Sequence, residues 1–118
     1  MPTLRTPQLQ QKYHDYLSTL KPNECGLCNT KPLREYTHWL LIENDFPYDK
    51  LAEKHLMLVS KRHVVEQDFT PEEQEELRLI KHELIISPEF DMVIEITEPH
   101  KTIPPHFHLH IIKLREDI

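Results

Sequence analysis

Glycine is almost missing from this chain. Its 118 residues include one, Gly26, against ten prolines. One glycine cannot build a P-loop or a dinucleotide-binding fingerprint, which need several positions where the backbone meets phosphate without a Cβ. A cupin site, with glycines framing its His-x-His, is disfavoured for the same reason. Basic residues are also short: 14 Lys and Arg stand against 20 Asp and Glu, for a formal net charge of −6. That balance argues against a nucleic-acid polymer as partner, because such affinity rests on neutralising many phosphates. A mononucleotide stays possible, since a small anion feels the local field. No apolar run approaches the roughly 18 residues of a membrane span, and the opening MPTLRTPQLQQKY lacks a signal-peptide apolar region. A cytoplasmic protein with no membrane partner is expected. Cysteine is limited to Cys25 and Cys28. In a reducing compartment this C-x-x-C is a metal or redox pair before it is a structural disulfide.

The length suits one domain over 1–118, with an N-terminal helical region (1–21) and a cysteine loop (22–35). Leu9, Tyr13, Tyr16 and Leu20 recur at helical spacing after Thr6-Pro7. Thr70-Pro71-Glu72-Glu73 combines a cap, a first-turn proline and a capping-box Glu, so a second helix is expected to about Ile86. Leu77, Ile80 and Leu84 should face the core. Glu72, Glu73, Glu75 and Glu76 read as a solvated first turn suited to the helix dipole. Segments 36–43, 55–60, 91–97 and 107–114 read as strands, and 44–54 as a polar loop. The expected class is α+β: an antiparallel sheet with two helices packed on it. Trp39, in an apolar strand, is expected in the core.

His106-Phe107-His108-Leu109-His110-Ile111-Ile112 is the most informative stretch. On a strand, residues two apart share a face, so the three histidines point one way, about 6.5–7 Å from one another. Phe107, Leu109 and Ile111 point the other way. Three imidazoles in strict register suit a metal site. They equally suit phosphoryl or nucleotidyl transfer, in which one ring attacks phosphorus and its neighbours donate to the oxygens. The spacing does not choose between them.

The pattern His-apolar-His-apolar-His-apolar-apolar resembles the signature of the histidine triad (HIT) family, matched at every position of 106–112. A second stretch, ENDFPYDKLAEKHLMLVSKRHV (43–64), is similar to the family too. It has the acidic or Asn residue, the proline, His55, a short apolar strand and Lys-Arg-His63-Val64, with Ser60 where the family usually has proline. The resemblance covers about 23–114. It implies an antiparallel sheet with helices, a homodimer, and a pocket for an AMP-like nucleotide cleaved or transferred at the α-phosphate through a nucleotidyl-histidine intermediate. Carried over by position, His108 is the nucleophile, His110 hydrogen-bonds a phosphate oxygen or the leaving group, and His55 supports the site from the adjacent strand. Asn44, Asp45 and Phe46 fall where family members contact ribose and base. Where the family often has a Gly-rich phosphate loop, this chain has residues 98–105, with Lys101 and Thr102 as the substitutes.

Cys25 and Cys28 have the spacing of structural zinc ligands, though a redox pair or two unrelated thiols fit that spacing as well. Zinc needs two more ligands, and the sequence offers His63 and His106. Zinc-bearing HIT relatives and the related galactose-1-phosphate uridylyltransferases use such a Cys-Cys-His-His set. The resemblance therefore implies a structural zinc, with His108 left as nucleophile. Two other readings stand beside the hydrolase or transferase: a HIT-fold module that binds nucleotide with little turnover, and a hydrolase with catalytic zinc on His106, His108 and His110.

Overall fold

The computed structural model describes residues 3–21, 24–28, 30–97 and 106–118. Its elements are α1 (Pro7–Thr19), β1 (Arg34–Glu35), β2 (Trp39–Glu43), β3 (Ala52–Ser60), α2 (Pro71–Ile86), β4 (Met92–Ile94) and β5 (His108–Leu114), with a 3-10 turn at Glu66–Asp68. The strands form one antiparallel sheet in the order β1-β2-β3-β5-β4. The expected class, an antiparallel sheet with two helices, is what the chain adopts.

Both helices begin where local chemistry places them. The Thr6 hydroxyl accepts from the Leu9 amide and Pro7 opens α1. Thr70 and Glu73 form a reciprocal capping box, with Pro71 opening α2. Each satisfies amides that a helix start leaves without partners. Glu73 departs from the solvated-turn expectation. It is 2% exposed and binds Arg62 through Nε (3.0 Å) and Nη2 (2.5 Å). Glu76 also has a partner beyond its helix, accepting from the His38 amide at 2.6 Å. The expected strands are trimmed at their ends, except β3, which runs back to Ala52 through a bulge between Ala52 and Lys54. Residues 52–54 are thus strand, not loop.

The sheet has two buried faces. On one, Ile80 and Leu84 of α2 pack with Trp39, Leu58, Leu109 and Ile111. Trp39, Phe69 and Phe107 meet edge to face there at 5.0–5.7 Å, and the Trp39 indole donates to the Glu73 carbonyl at 3.0 Å. Side chains of this size contribute roughly 1.5–3 kcal/mol each when buried. On the other face Leu27, Ile42, Met57 and Val59 form a smaller apolar cluster. Helix α1 stands over this side. Its Tyr13 and Tyr16 pack on Phe46, with ring centres at 5.2 and 5.1 Å. Gly26 is placed by close approach: a Cβ there would lie 2.5 Å from the Tyr16 hydroxyl.

Candidate functional site

Strand β5 begins at His108, and its register with β3 sets His108 opposite Val59 and His110 opposite Met57. His55 pairs with Ile112, one step diagonally from His110 on the same face. Diagonal neighbours on a sheet face are within reach of long side chains. The histidines do not form a solvated face. His55, His106, His108 and His110 are all buried, none more than 5% exposed.

Burial would be costly for rings whose nitrogens had no partners. The tyrosine-48 amide donates to His55 Nδ1 at 3.0 Å. That ring therefore carries its proton on Nε2, which donates to His110 Nδ1 at 2.8 Å. The His110 proton is thus on Nε2, 3.4 Å from the Tyr48 hydroxyl. Neutral rings are required for this chain, and the environment keeps them neutral. Burial, helped by Arg5, pushes the His55 pKa down to about 4. Burial, then His55, His108 and Arg5, pushes that of His110 down to about 2. His108 Nδ1 donates to the His106 carbonyl at 2.9 Å, which leaves Nε2 as its basic nitrogen.

His108 and His110 line a cavity of about 480 Å³ between α1 and the sheet. Asn44, Asp45 and Phe46 also line it. Asn44 is buried, with its amide N–H on the His55 carbonyl (3.0 Å) and its side-chain oxygen on the Phe46 amide (2.8 Å). Phe46 is packed between loop and helix by Tyr13 and Tyr16. Lys101 and Thr102 lie outside the described residues. Arg5, Tyr13 and Tyr48 line the cavity too, and of these Arg5 has no signal in the sequence patterns. Arg5 and Tyr48 are brought there by long-range contacts, and Tyr13 sits on a helix face that reads as ordinary core.

His106 precedes β5 and turns its ring elsewhere. Its Nε2 donates to the Ser60 carbonyl at 2.7 Å. Its Nδ1 lies 3.3 Å from Cys25 Sγ and 3.5 Å from Cys28 Sγ. His63 Nδ1 is 3.2 Å from Cys28 Sγ. The four donor atoms lie within 4.8 Å of one another, close enough to hold a metal ion. Orientation of a ring by a carbonyl on its second nitrogen is what metal-bound histidines usually have. Burial and the neighbouring Cys25 push the Cys28 thiol up to about 11, the cost two adjacent thiolates carry when no cation offsets them. The Phe107 amide donates to the Val64 carbonyl at 2.9 Å, tying the entrance of β5 to the His63 turn. The alternative metal site on His106, His108 and His110 is not assembled: His106 Nδ1 faces the thiols, His108 Nδ1 is on a carbonyl, and His110 Nδ1 accepts from His55.

The chain matches no family model and no curated protein. Among solved structures it is similar to that of HTC1, at 18% identity and a TM-score of 0.54 over 94% of this chain and 75% of that one. A likeness at that identity concerns the fold alone. Among the described residues no helix is long and apolar enough to cross a membrane.

Proposed function

We propose that this protein is a nucleotide hydrolase or nucleotidyl transferase of the HIT type, acting at the α-phosphate, with a structural zinc on Cys25, Cys28, His63 and His106. The observation that carries it is the His108 tautomer. With Nδ1–H held by the His106 carbonyl, the ring offers a lone pair at Nε2, the atom a nucleophilic imidazole needs. It sits beside a cavity of about 480 Å³, within the range of small-molecule sites.

In this reading Nε2 of His108 attacks phosphorus, an N–P bond forms and the bond to the leaving group breaks. His110, a donor at Nε2, stabilises charge on a phosphate oxygen or on the leaving group. Water then breaks the N–P bond; its hydroxide goes to phosphorus and its proton to the leaving group. In a transfer reaction the acceptor takes the place of water. Asn44, Asp45 and Phe46 are assigned to the nucleoside, with Lys101 and Thr102 as candidate phosphate contacts.

The donor set supports zinc. Sulfur–nitrogen edges of a tetrahedral site with ordinary zinc bond lengths are about 3.5 Å, and the three close Sγ···Nδ1 pairs span 3.2–3.5 Å. Four protein ligands close the coordination sphere, so the ion would fix structure and not act as Lewis acid. A homodimer fits the same reading: β4 is a three-residue strand at the edge of the sheet, where a partner strand can add.

The test compares wild type with His108→Asn. Expected are equal AMP affinity by calorimetry, a fall of several orders of magnitude in turnover of AMP esters or phosphoramidates, and a nucleotidyl-enzyme trapped by mass spectrometry in wild type only. Equal turnover by both would remove His108 as nucleophile. AMP binding without turnover by either would make the chain a binding module.

A further inference from the structure

An anionic ligand needs a positive charge near it, and the histidines of this cavity are poor sources of one. His55 and His110 are locked into neutral tautomers by the donor chain that starts at the Tyr48 amide. Among the described residues lining the cavity there is one permanently charged cation, Arg5. Glu43 and Asp45, also in the lining, are acidic and exposed.

Arg5 has an unusual environment for a guanidinium. It is 8% exposed. Its Nε donates to the Phe46 carbonyl at 2.7 Å and its Nη1 to the Gln10 side chain at 3.4 Å. Its Cζ lies 4.2 Å from the Tyr13 ring centre and 5.0 Å from that of Tyr48. All these partners are neutral. The carboxylate nearest in effect is Asp49, but its oxygens are taken by the amide and hydroxyl of Thr6 at 2.7 and 2.8 Å. No carboxylate forms an ion pair with Arg5 among the described residues, and Nη2 has no hydrogen bond there. A buried charge ordinarily has a counter-charge. Tyr48 links this one to the histidines: its ring centre is 5.0 Å from that of His110.

We infer that Arg5 is the anion-selecting residue of the cavity, its guanidinium pairing with a phosphate oxygen of the bound ligand, so that the arm before α1 is part of the binding site. The ligand class is a phosphate ester or free phosphate rather than a neutral nucleoside. Guanidinium is suited to this role because its planar fork matches phosphate oxygens and stays charged when buried. The inference rests on the nucleotide reading only for the nucleoside half of the ligand; the anion half stands on the cation alone.

The experiment measures binding of AMP, adenosine and inorganic phosphate by calorimetry to wild type, Arg5→Lys and Arg5→Met, with helicity and melting checked for each. Wild type should bind AMP and phosphate. Arg5→Met should lose about 10- to 100-fold in affinity for both, the worth of one charge-assisted contact, with adenosine affinity unchanged. Arg5→Lys should recover part of the loss. Should Arg5→Met not fold, the guanidinium nitrogen resonances of Arg5 in ¹⁵N-labelled wild type decide: they shift with AMP and phosphate and stay still with adenosine. Undiminished AMP and phosphate binding in Arg5→Met, or unmoved Arg5 resonances at saturation, overturns the role of Arg5 and leaves the nucleotide reading standing. Arg5-dependent phosphate binding with no preference for AMP overturns the nucleotide reading and leaves Arg5 standing. If wild type binds neither anion, both fail.

Discussion

His55 hands its Nε2 hydrogen to Nδ1 of His110, 2.8 Å away across the diagonal between β3 and β5. The contact decides which nitrogen of His110 faces the Tyr48 hydroxyl as a donor. His55→Ala should remove that decision. Turnover of an AMP ester is expected to fall about 10- to 1000-fold, the range for losing one transition-state donor, while AMP affinity changes little. Nitrogen chemical shifts give the direct check: wild-type His110 should be the Nε2–H tautomer. Finding it protonated at Nδ1 would sink the relay.

Purified protein should carry about one zinc per chain, and Cys25→Ser should lose it together with thermal stability. Gly26 and Leu27, between the two cysteines, line the cavity beside His108. Chelation should therefore weaken AMP binding as well as lower the melting temperature. Full zinc content in both Cys25→Ser and Cys28→Ser would refute the ligand set.

Acid should destabilise the fold before its carboxylates titrate. The pKa values of His55 and His110 are depressed in the folded chain, to about 4 and about 2, mainly by burial. The unfolded chain therefore binds more protons once pH drops below the ordinary histidine value of about 6.5. Stability contributed by these neutral rings is fully present above that pH. It declines between pH 6.5 and 4 by up to about 1.4 kcal/mol per pH unit for each ring. Urea melts at pH 7, 6 and 5 should show the loss, and a His55→Asn, His110→Asn double variant should flatten it. A wild-type curve flat from pH 7 to 5 would show that the rings charge without unfolding.

The acidic start of α2 separates into unequal members. Glu73→Ala removes half of a capping box and the buried partner of Arg62, and should cost about 1–2 kcal/mol. Glu72→Ala, at an exposed position, should stay within about 0.5 kcal/mol. Equal losses in denaturant melts would contradict the assignment.

Features set by neighbours in sequence were the readable ones. Thr70-Pro71 and Glu73 announce α2 because a cap is a contact over three residues. The alternation from Phe107 to Ile111 announces a strand because its period is two. The cysteine spacing suits a metal-ligand pair, and the family resemblance supplies His63 and His106, which the fold gathers with that pair. What stayed hidden depended on distant partners. The alternation puts the three histidines on one face but does not say what covers it; α1 and the cysteine turn do, and every ring finds partners. Glu73 reads as solvated because Arg62 reaches it from outside the helix. Arg5 carries no local pattern at all; the arm before α1 brings it to Tyr48, and the loop after β2 brings Tyr48 to the histidines.

One residue belongs to both halves of this molecule. The ring of His106 faces Cys25 and Cys28, while its carbonyl receives the Nδ1 hydrogen of His108. The cysteine cluster and the His108 tautomer therefore depend on the same residue. Linkage between two equilibria that share a part is reciprocal. If occupancy of the cluster raises affinity for a nucleotide, the nucleotide must tighten binding of the ion by an equal free energy, and a chelator would then have to work against the bound ligand.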